Sequence, residues 1–353
     1  QWGHFWSAGI GWNLHHEKFM QALKVVNLFK LRGSTGYTGS QNFNAYQAVS
    51  TYRYYEDVVY DNIVGAYLLG LPNPELQWQK TQDNNIGLDL TLFDRLDLTF
   101  DYYIKNTRNL LTPVSTPPSV GFNSYTENLG KSQNKGIEVR LNYRILKNAH
   151  KDLFLSAFAT GMHNKNKIKE ISDALDYINK ERDDQKSESN YDHEKDKQGT
   201  TKPSVRYRVG QSMDAIWAVR SLGIDPGSGE EILLTKDGRK TYAWNADDQV
   251  VCGDKLPKLS GTFGFNFEYR GFGVNTSFFY RFGGQMYNQT LVDKVENADI
   301  QYNVDKRIYT DRWFEAGQAA KFKRITDPNY FTRPTSRFVQ DLSELQMTSL
   351  NIS

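Results

Sequence analysis

The feature that most constrains the fold is strict alternation of apolar and polar residues in short segments. Residues 96–102 read Leu-Asp-Leu-Thr-Phe-Asp-Tyr, and residues 136–143 read Gly-Ile-Glu-Val-Arg-Leu-Asn-Tyr. Successive side chains of a β-strand point to opposite faces of its sheet, so a period of two gives each strand one apolar and one polar face. The pattern therefore predicts an all-β chain.

The connections between the predicted strands fall into two length classes. We predict nine strands, at residues 5–14, 27–37, 79–92, 96–105, 136–144, 153–160, 261–269, 274–282 and 344–353. The turns after Leu92, Arg144 and Tyr269 are short, whereas the connections after the second, fourth, sixth and eighth strands run for tens of residues. Short turns at one end and long loops at the other are typical of antiparallel transmembrane β-barrels.

This interpretation assigns the two faces of each strand to lipid and to the barrel lumen. We predict that apolar residues such as Leu88, Val139 and Phe278 face lipid, and that Glu138 and Asn266 face the lumen. Composition agrees with a wall of strands: mean hydropathy is −0.65, and no run approaches the ~18 apolar residues of a spanning helix. The net charge of +2 indicates no nucleic-acid partner, and the single cysteine excludes an intrachain disulfide.

The longest connection, a predicted extracellular loop region at residues 161–260, has internal patterns of its own. Residues 165–182 show apolar residues at helical spacing and predict a helix. Residues 215–219 and 231–234 predict a small hairpin outside the membrane, with turn residues at 225–229 between them. The charge-dense stretch at residues 183–197 is typical of a solvated loop.

Aromatic residues in the predicted loops are the candidates for binding a ligand or a partner. Their flat rings suit contact with sugars or with a capping protein, and the alternative is that they pack the loops against one another. The candidate residues are Trp217, Tyr242, Trp244, Trp313, Phe314 and Tyr330.

No residues predict a catalytic site, a metal site or a cofactor. The adjacent His15 and His16 would point to opposite faces of a strand, and the other four histidines are scattered. The paired aspartates at 183–184 and 247–248 lie in loops without a rigid frame, so solvated carboxylates are the better interpretation. The oxygen-rich segment at residues 225–230 leaves calcium open, but it lacks EF-hand spacing and turn formation is favoured.

With the strands placed, several motifs resemble the SusC/RagA family of TonB-dependent outer-membrane transporters. Residues 73–81 read Asn-Pro-Glu-Leu-Gln-Trp-Gln-Lys-Thr and are similar to the family block Asn-Pro-x-Leu-x-Trp-Glu-Lys-Thr, with Gln79 in place of the usual Glu. Residues 11–14, 31–39, 134–138, 210–217 and 335–341 also fit, in order along the chain. The resemblance is weakest at residues 173–203 and 252–257.

The resemblance implies the protein's architecture, location and partners. It implies that residues 1–353 form about nine strands of a 22-stranded, plugged barrel in the Gram-negative outer membrane, with the plug and the final strands outside this chain. It also implies TonB-dependent import of a large nutrient, an oligosaccharide or a peptide. The implied partners are a SusD-like surface lipoprotein and TonB, the latter through an N-terminal region that this chain lacks.

Two other functions remain as alternatives at this stage. The first is a soluble or surface-exposed β-rich glycan-binding module, and the second, more distant, is an enzyme such as a glycoside hydrolase. A requirement for detergent during extraction distinguishes a transporter from a soluble module. An enzyme would show turnover that disappears when one carboxylate is neutralised.

Overall fold

A computed structural model gives the architecture. It describes residues 4–40, 45–115, 121–122, 124–128, 130–148, 152–172, 175–176, 179–180, 201–298, 303–325 and 331–353. The first nine strands are β1 Trp6–Asn13, β2 Val26–Ser40, β3 Tyr52–Tyr60, β4 Ile63–Leu68, β5 Gln79–Leu92, β6 Leu96–Arg108, β7 Leu111–Ser115, β8 Ser124–Asn128 and β9 Gly130–Asn148. The remaining strands are β10 Leu153–Ile171, β11 Ala215–Ile224, β12 Glu231–Leu234, β13 Lys240–Thr241, β14 Gln249–Asp254, β15 Leu259–Tyr269, β16 Phe272–Tyr287 and β17 Val339–Ile352.

Helical structure in the described residues consists of short segments between strands. They include Leu14–His16, Ala45–Ala48, Ala246–Asp248, Gln289–Leu291, Val292–Glu296, Arg307–Thr310 and Ser336–Phe338, and residues 175–176 and 179–180 are also helical. Within the part of the chain that the structure describes, no helix is both long enough and apolar enough to cross a membrane.

The main sheet confirms the prediction of nine antiparallel strands. Its order is β1-β2-β5-β6-β9-β10-β15-β16-β17, so each strand pairs with the next one that belongs to the sheet. Several strands continue beyond their predicted limits: β9 begins at Gly130 and β10 ends at Ile171. A membrane-crossing strand needs about 9–11 residues, so these 19-residue strands are longer than a membrane crossing would require.

The strand register aligns apolar residues into continuous rows on one face of the sheet. Directly paired residues share a face, and one row crosses eight strands without a polar side chain. That row is Phe29, Leu90, Leu98, Leu141, Ala159, Phe263, Phe278 and Met347. Because a shift of one residue would move every side chain to the other face, the register and the alternation specify the same apolar surface.

The opposite face carries polar residues and ion pairs. Arg32 on β2 bridges Asp89 on β5 and Asp101 on β6, with nitrogen–oxygen distances of 2.8 and 3.1 Å. Gly87 lies between them, and a Cβ at that position would be 2.8 Å from the guanidinium carbon. The glycine therefore leaves room for the cation inside the polar face.

The connections follow the predicted asymmetry. Tight turns at residues 93–95 and 270–271 join strands at one end, where β9 ends at Asn148, β10 begins at Leu153 and the 14–25 connection also lies. The connections at the other end span residues 41–78, 109–129, 172–258 and 288–338. The helix predicted at residues 165–182 is wrong over residues 165–171, which continue β10 and pair with residues 130–135 of β9. Further along the same range, the described residues 175–176 and 179–180 are helical.

A second layer of structure stands at the long-connection end. We call its described residues in 201–258 and 288–338 the loop layer. Its four-stranded sheet has the order β13-β12-β11-β14, and the predicted hairpin is confirmed by the antiparallel pairing of β11 with β12. Its apolar core contains Leu291, Val292, Val295, Ile308, Phe322 and Phe338. The loop layer is thus folded, and it holds the candidate site.

Candidate functional site

The candidate site is a cleft of about 530 Å³ in the loop layer. Strand β12 and the segment after β13 form one side, and residues 323–324 and 332–335 form the other. Its lining residues are Gly229, Glu230, Glu231, Leu233, Tyr242, Ala243, Trp244, Lys323, Arg324, Thr332, Arg333 and Thr335. A volume of this size lies within the range of small-molecule sites in proteins.

Two predicted aromatic residues line the cleft directly. Tyr242 is 52% exposed, and its hydroxyl donates a 2.6 Å hydrogen bond to Asp225 Oδ2, which holds the pKa of that carboxyl below its usual value. Trp244 is half-buried, and its Nε1 donates to Pro334 O at 3.1 Å. The Arg333 guanidinium lies over the indole, 4.9 Å from the ring centroid. Tyr242 therefore offers a flat surface, and Trp244 supports a cation.

Trp313 and Phe314 lie beside the turn at residues 225–229. Trp313 Nε1 donates to Pro226 O at 2.8 Å, and its ring covers Gly229, where an added Cβ would lie 2.5 Å from the indole. Gly229 has a φ of +73°, a conformation that favours glycine. Trp313 thus borders the cleft through Gly229, and Phe314 beside it is exposed.

Trp217 lies apart from these four residues. Trp217 on β11 is only 5% exposed, with the Arg208 guanidinium carbon 5.4 Å from its ring centroid. It packs the interior of the loop-layer sheet and presents little surface to a ligand. Tyr330 lies outside the described residues.

A buried ion-pair cluster underlies the cleft. Arg337 donates from Nη2 to Glu296 Oε1 at 2.6 Å and to Glu231 Oε2 at 3.0 Å, and the three side chains are 13%, 0% and 9% exposed, respectively. Burial alone would raise the pKa of Glu231, but Arg337 outweighs it and the pKa is lowered. The cluster joins β12, the turn after β16 and the segment before β17.

Three further charged residues lie on the cleft wall. Arg324 Nη2 is 2.7 Å from Glu230 Oε1, and Arg333 stacks on Trp244 as described. Burial lowers the pKa of Lys323 to about 8, although Glu296 and Glu231 act in the opposite direction. The cleft therefore combines aromatic rings with several cations.

Sequence reasoning did not identify these cations. Arg337 lies inside the motif at residues 335–341 that carries the family resemblance, which was an available signal. Nothing local marks Lys323, Arg324 or Arg333, because their contacts join residues about 90 positions apart in the chain, as between Arg324 and Glu230.

The residues weighed for metal binding have other contacts or no common site. The Asp225 carboxylate accepts hydrogen bonds from the Gly227 amide at 2.9 Å and the Ser228 hydroxyl at 3.0 Å, as expected for a turn. Among the described residues, no three His, Cys, Asp or Glu side chains come together in a way that would hold a metal ion.

Comparison with known proteins agrees with the architecture. Residues 1–294 match the family model described as TonB dependent receptor-like, beta-barrel. TonB-dependent receptor P3 of Formosa agariphila is 28% identical over 306 residues, which cover 82% of this chain and 29% of the receptor. TonB-dependent receptor SusC of Bacteroides thetaiotaomicron is 31% identical over 154 residues, or 40% of this chain and 15% of SusC.

Solved structures share the fold. The RagAB peptide transporter superposes with a TM-score of 0.77 at 20% identity, over 99% of this chain and 36% of that one. The chain thus spans about a third of the length of such relatives.

Proposed function

The chain belongs to the TonB-dependent receptor β-barrel family, as a SusC/RagA-like part of an outer-membrane barrel, and on that premise we propose that the full-length protein imports a large nutrient. The substrate class is an oligosaccharide or a peptide, and uptake depends on TonB. The apolar row that crosses eight strands carries the proposal, because such a surface suits lipid. A soluble sandwich would cover such a face with a second sheet, whereas Phe263 and Met347 of this row are 39% and 53% exposed.

In this proposal the loop layer receives the nutrient from outside the cell. The cleft lies at the long-connection end of the strands, which is the extracellular end of an outer-membrane barrel. Tyr242, Trp244, Trp313 and Phe314 are the proposed contact residues, and a SusD-like surface lipoprotein is the proposed partner at this end.

The proposal assigns the protein a binding and transport role without a catalytic step. The two buried carboxylates beside the cleft, Glu231 and Glu296, are both paired with Arg337. A glycosidase needs one carboxylic acid and one carboxylate on either side of the bond that it cleaves, whereas both carboxylates here are hydrogen-bonded to the same arginine. This pairing supports binding over hydrolysis.

Uptake by living cells tests the proposal. A strain that lacks the gene should lose growth on one class of oligosaccharide or peptide, and restoring the gene should restore growth only when TonB is present. The protein should fractionate with the outer membrane and require detergent, and a surface lipoprotein should copurify with it. Growth that is equal with and without the gene on every glycan and peptide tested would contradict the proposal.

A further inference from the structure

Six cations share the lipid-facing side of the main sheet at its long-connection end. Directly paired residues share a face, and Lys135 of β9 pairs with Ile104 of β6 and with Lys165 of β10. Lys135 stands four residues before Val139, so the two side chains lie on the same face of β9. The register places five more cations on this face, and we call the set the basic patch: Lys80, Arg108, Lys131, Lys135, Lys165 and Lys167.

The basic patch carries more positive charge than its neighbours neutralise. Lys131 forms an ion pair with Glu170. Among the residues that the structure describes, the other five cations have no carboxylate partner. Asp83 and Glu138 belong to the same strands, but each stands three positions from a patch residue and therefore points to the lumen face. The patch is thus an exposed cluster of positive charge.

Like charges stand opposite each other within the basic patch. Lys135 is paired directly with Lys165. Arg108 is paired directly with Lys80 on one side and with Lys131 on the other. Directly opposite residues have Cβ atoms about 4.5–5.5 Å apart, and like charges at such positions destabilise the strand pair. An anion bound between the cations offsets this repulsion, so the arrangement favours a ligand with negative charge.

The patch faces outward because the other side of the same strand segments is covered. Thr107 and Ser132 are paired with each other on the lumen face and are only 6% and 4% exposed. Their chain neighbours Arg108 and Lys131 point to the lipid-facing side and are exposed. A ligand of the patch therefore approaches from outside the barrel wall and not from its lumen.

A pair of aromatic rings marks the height of the basic patch on the wall. Trp6 and Tyr37 have ring centroids 5.7 Å apart, and they lie in the row of paired residues that ends at Lys167. Two rows closer to the short turns, the same face carries the apolar Ile10 and Ile86. Trp and Tyr concentrate where hydrocarbon meets lipid headgroups. The patch therefore lies at the level of the headgroups.

An apolar groove of about 440 Å³ adjoins the basic patch on this face. Gly33 keeps it open, because this residue without a side chain stands between Ile10 and Ile86, which are 79% and 65% exposed. Ile104 lines the groove and pairs directly with Lys135, so groove and patch are one strand spacing apart, about 4.8 Å. A groove of this kind suits a hydrocarbon chain.

From this arrangement we propose that the outer wall binds a phosphorylated lipid of the outer leaflet, with its phosphate groups on the basic patch and an acyl chain in the groove. The long-connection end is the extracellular end of an outer-membrane barrel, which places the patch in that leaflet. A soluble anion would use the cations alone, whereas the adjoining groove and the aromatic pair at the same height favour a lipid. The inference rests on the outer-membrane location and not on the nutrient that is imported.

Native mass spectrometry of the detergent-solubilised full-length protein tests the inference by counting bound lipids during a titration. The probes are bisphosphorylated lipid A, the same lipid without its phosphates, and the same bisphosphorylated headgroup without its acyl chains. We expect lipid A to bind at least about tenfold more tightly than the phosphate-free lipid, the ratio that corresponds to one charge-assisted hydrogen bond. The headgroup alone should also bind more weakly than lipid A. These comparisons need no variant and therefore do not depend on the folding of a mutant.

Two variants and a control assign the effect to the patch and the groove. The double variant Lys135→Gln, Lys165→Gln should weaken binding of lipid A about 25-fold, a factor of about five for each lysine, and leave the phosphate-free lipid unaffected. The matched control is Lys24→Gln, Lys147→Gln, which removes the same charge from exposed lysines at the short-turn end. Gly33→Leu fills the groove and should weaken lipid A at least about fourfold, the ratio for one buried methylene, without affecting the headgroup alone.

Three results would overturn the inference. The first is equal affinity for lipid A and its phosphate-free form, and the second is lipid A binding by the double variant that matches the control. The third is binding of the headgroup alone as tightly as lipid A, which would assign the basic patch to a soluble anion. TonB-dependent uptake alongside any of these results would leave the transport proposal standing. Binding of lipid A without TonB-dependent uptake would refute transport alone.

Discussion

Removing Arg337 should open the loop layer locally, and the magnitude follows from the geometry. Arg337 donates four hydrogen bonds to the carboxylates of Glu231 and Glu296, at 2.6–3.2 Å. In Arg337→Met both carboxylates lose their cation while Glu296 remains fully buried. Breaking a buried ion pair from one side costs about 3–5 kcal/mol. Each 1.4 kcal/mol changes an equilibrium constant tenfold, so the equilibrium constant for local opening of the loop layer should rise by roughly two to four orders of magnitude.

The pH dependence of this effect has a definite sign. In the wild type the pKa of Glu231 lies below 4.5, so its contribution to stability is present above pH 4.5 and is lost as the pH falls through the lowered pKa. In Arg337→Met, burial without the cation raises the pKa of the Glu231 carboxyl. This group then takes up a proton as the pH falls, and the difference between variant and wild type shrinks from pH 7 towards pH 4.

Amide hydrogen exchange in the full-length protein measures this opening without unfolding the barrel. Exchange at Glu231–Leu234 should accelerate by the factor above at pH 7, with no change in the barrel strand Leu96–Arg108. The combined variant Glu231→Met, Glu296→Met and Arg337→Met is the control, since replacing a whole buried ion cluster with apolar residues of similar volume is often close to neutral. If Arg337→Met exchanged its Glu231–Leu234 amides at the wild-type rate at pH 7, the reasoning would be refuted. It would also be refuted if the difference in rate between variant and wild type grew as the pH was lowered.

Three further substitutions test the wall and the loop layer. Val139→Arg on the apolar face should lower the free energy of unfolding in a lipid bilayer by about 2–4 kcal/mol. Glu138→Arg on the polar face should lower it clearly less. Equal losses for the two variants would contradict the assignment of faces. Gly229→Ala should lower the stability of the loop layer by about 1–2 kcal/mol, because Gly229 has a positive φ. It should also expose Trp313 to quenching by acrylamide, and the Trp313 signal is obtained by subtracting the fluorescence of Trp313→Phe. Quenching unchanged from wild type would contradict that packing. Gln249→Met should slow amide hydrogen exchange around residue 249 by about tenfold. The reason is that the buried side-chain amide of Gln249 has no hydrogen-bond partner in the described structure. Faster exchange in the variant would show that this amide does have a partner.

The strands of the main sheet could be predicted because one physical requirement acts on every one of them. Residues facing lipid must be apolar, so alternation appears wherever a strand crosses the membrane, as at Leu96–Arg108. The extensions beyond the membrane have water or loop structure on both sides and show no alternation. Residues 130–135 of β9, for example, read Gly-Lys-Ser-Gln-Asn-Lys, and these extensions were missed for that reason.

The prediction of a helix over residues 165–171 failed for a related reason. Ile168 and Ile171 stand three apart, which is a helical spacing, but Ile168 lies on a strand and is buried near Tyr207 and Met213. Its amide donates to Gln211 O and its carbonyl accepts from the Gly210 amide. The strand is thus held by a segment about 40 residues away, which no local pattern reports.

The site was only partly predictable for the same reason. An aromatic residue in a loop is visible from the sequence, and Tyr242 and Trp244 do line the cleft. Whether such a residue faces solvent or the interior depends on the fold of the loop, and Trp217 lies in the interior. The cations reach the cleft from the connection before β17, which approaches β12 only in the folded loop layer.

The central claim is that the main sheet is part of a membrane wall with one lipid face and one lumen face. Single cysteines introduced at Leu98, Thr99, Phe100 and Asp101 of the full-length protein, with Cys252 and any other cysteine replaced, can carry spin labels in a reconstituted bilayer. Collision with oxygen, which partitions into lipid, should be high at positions 98 and 100, and collision with a water-soluble nickel chelate should be high at positions 99 and 101. Equal accessibility to both reagents at all four positions would contradict the claim.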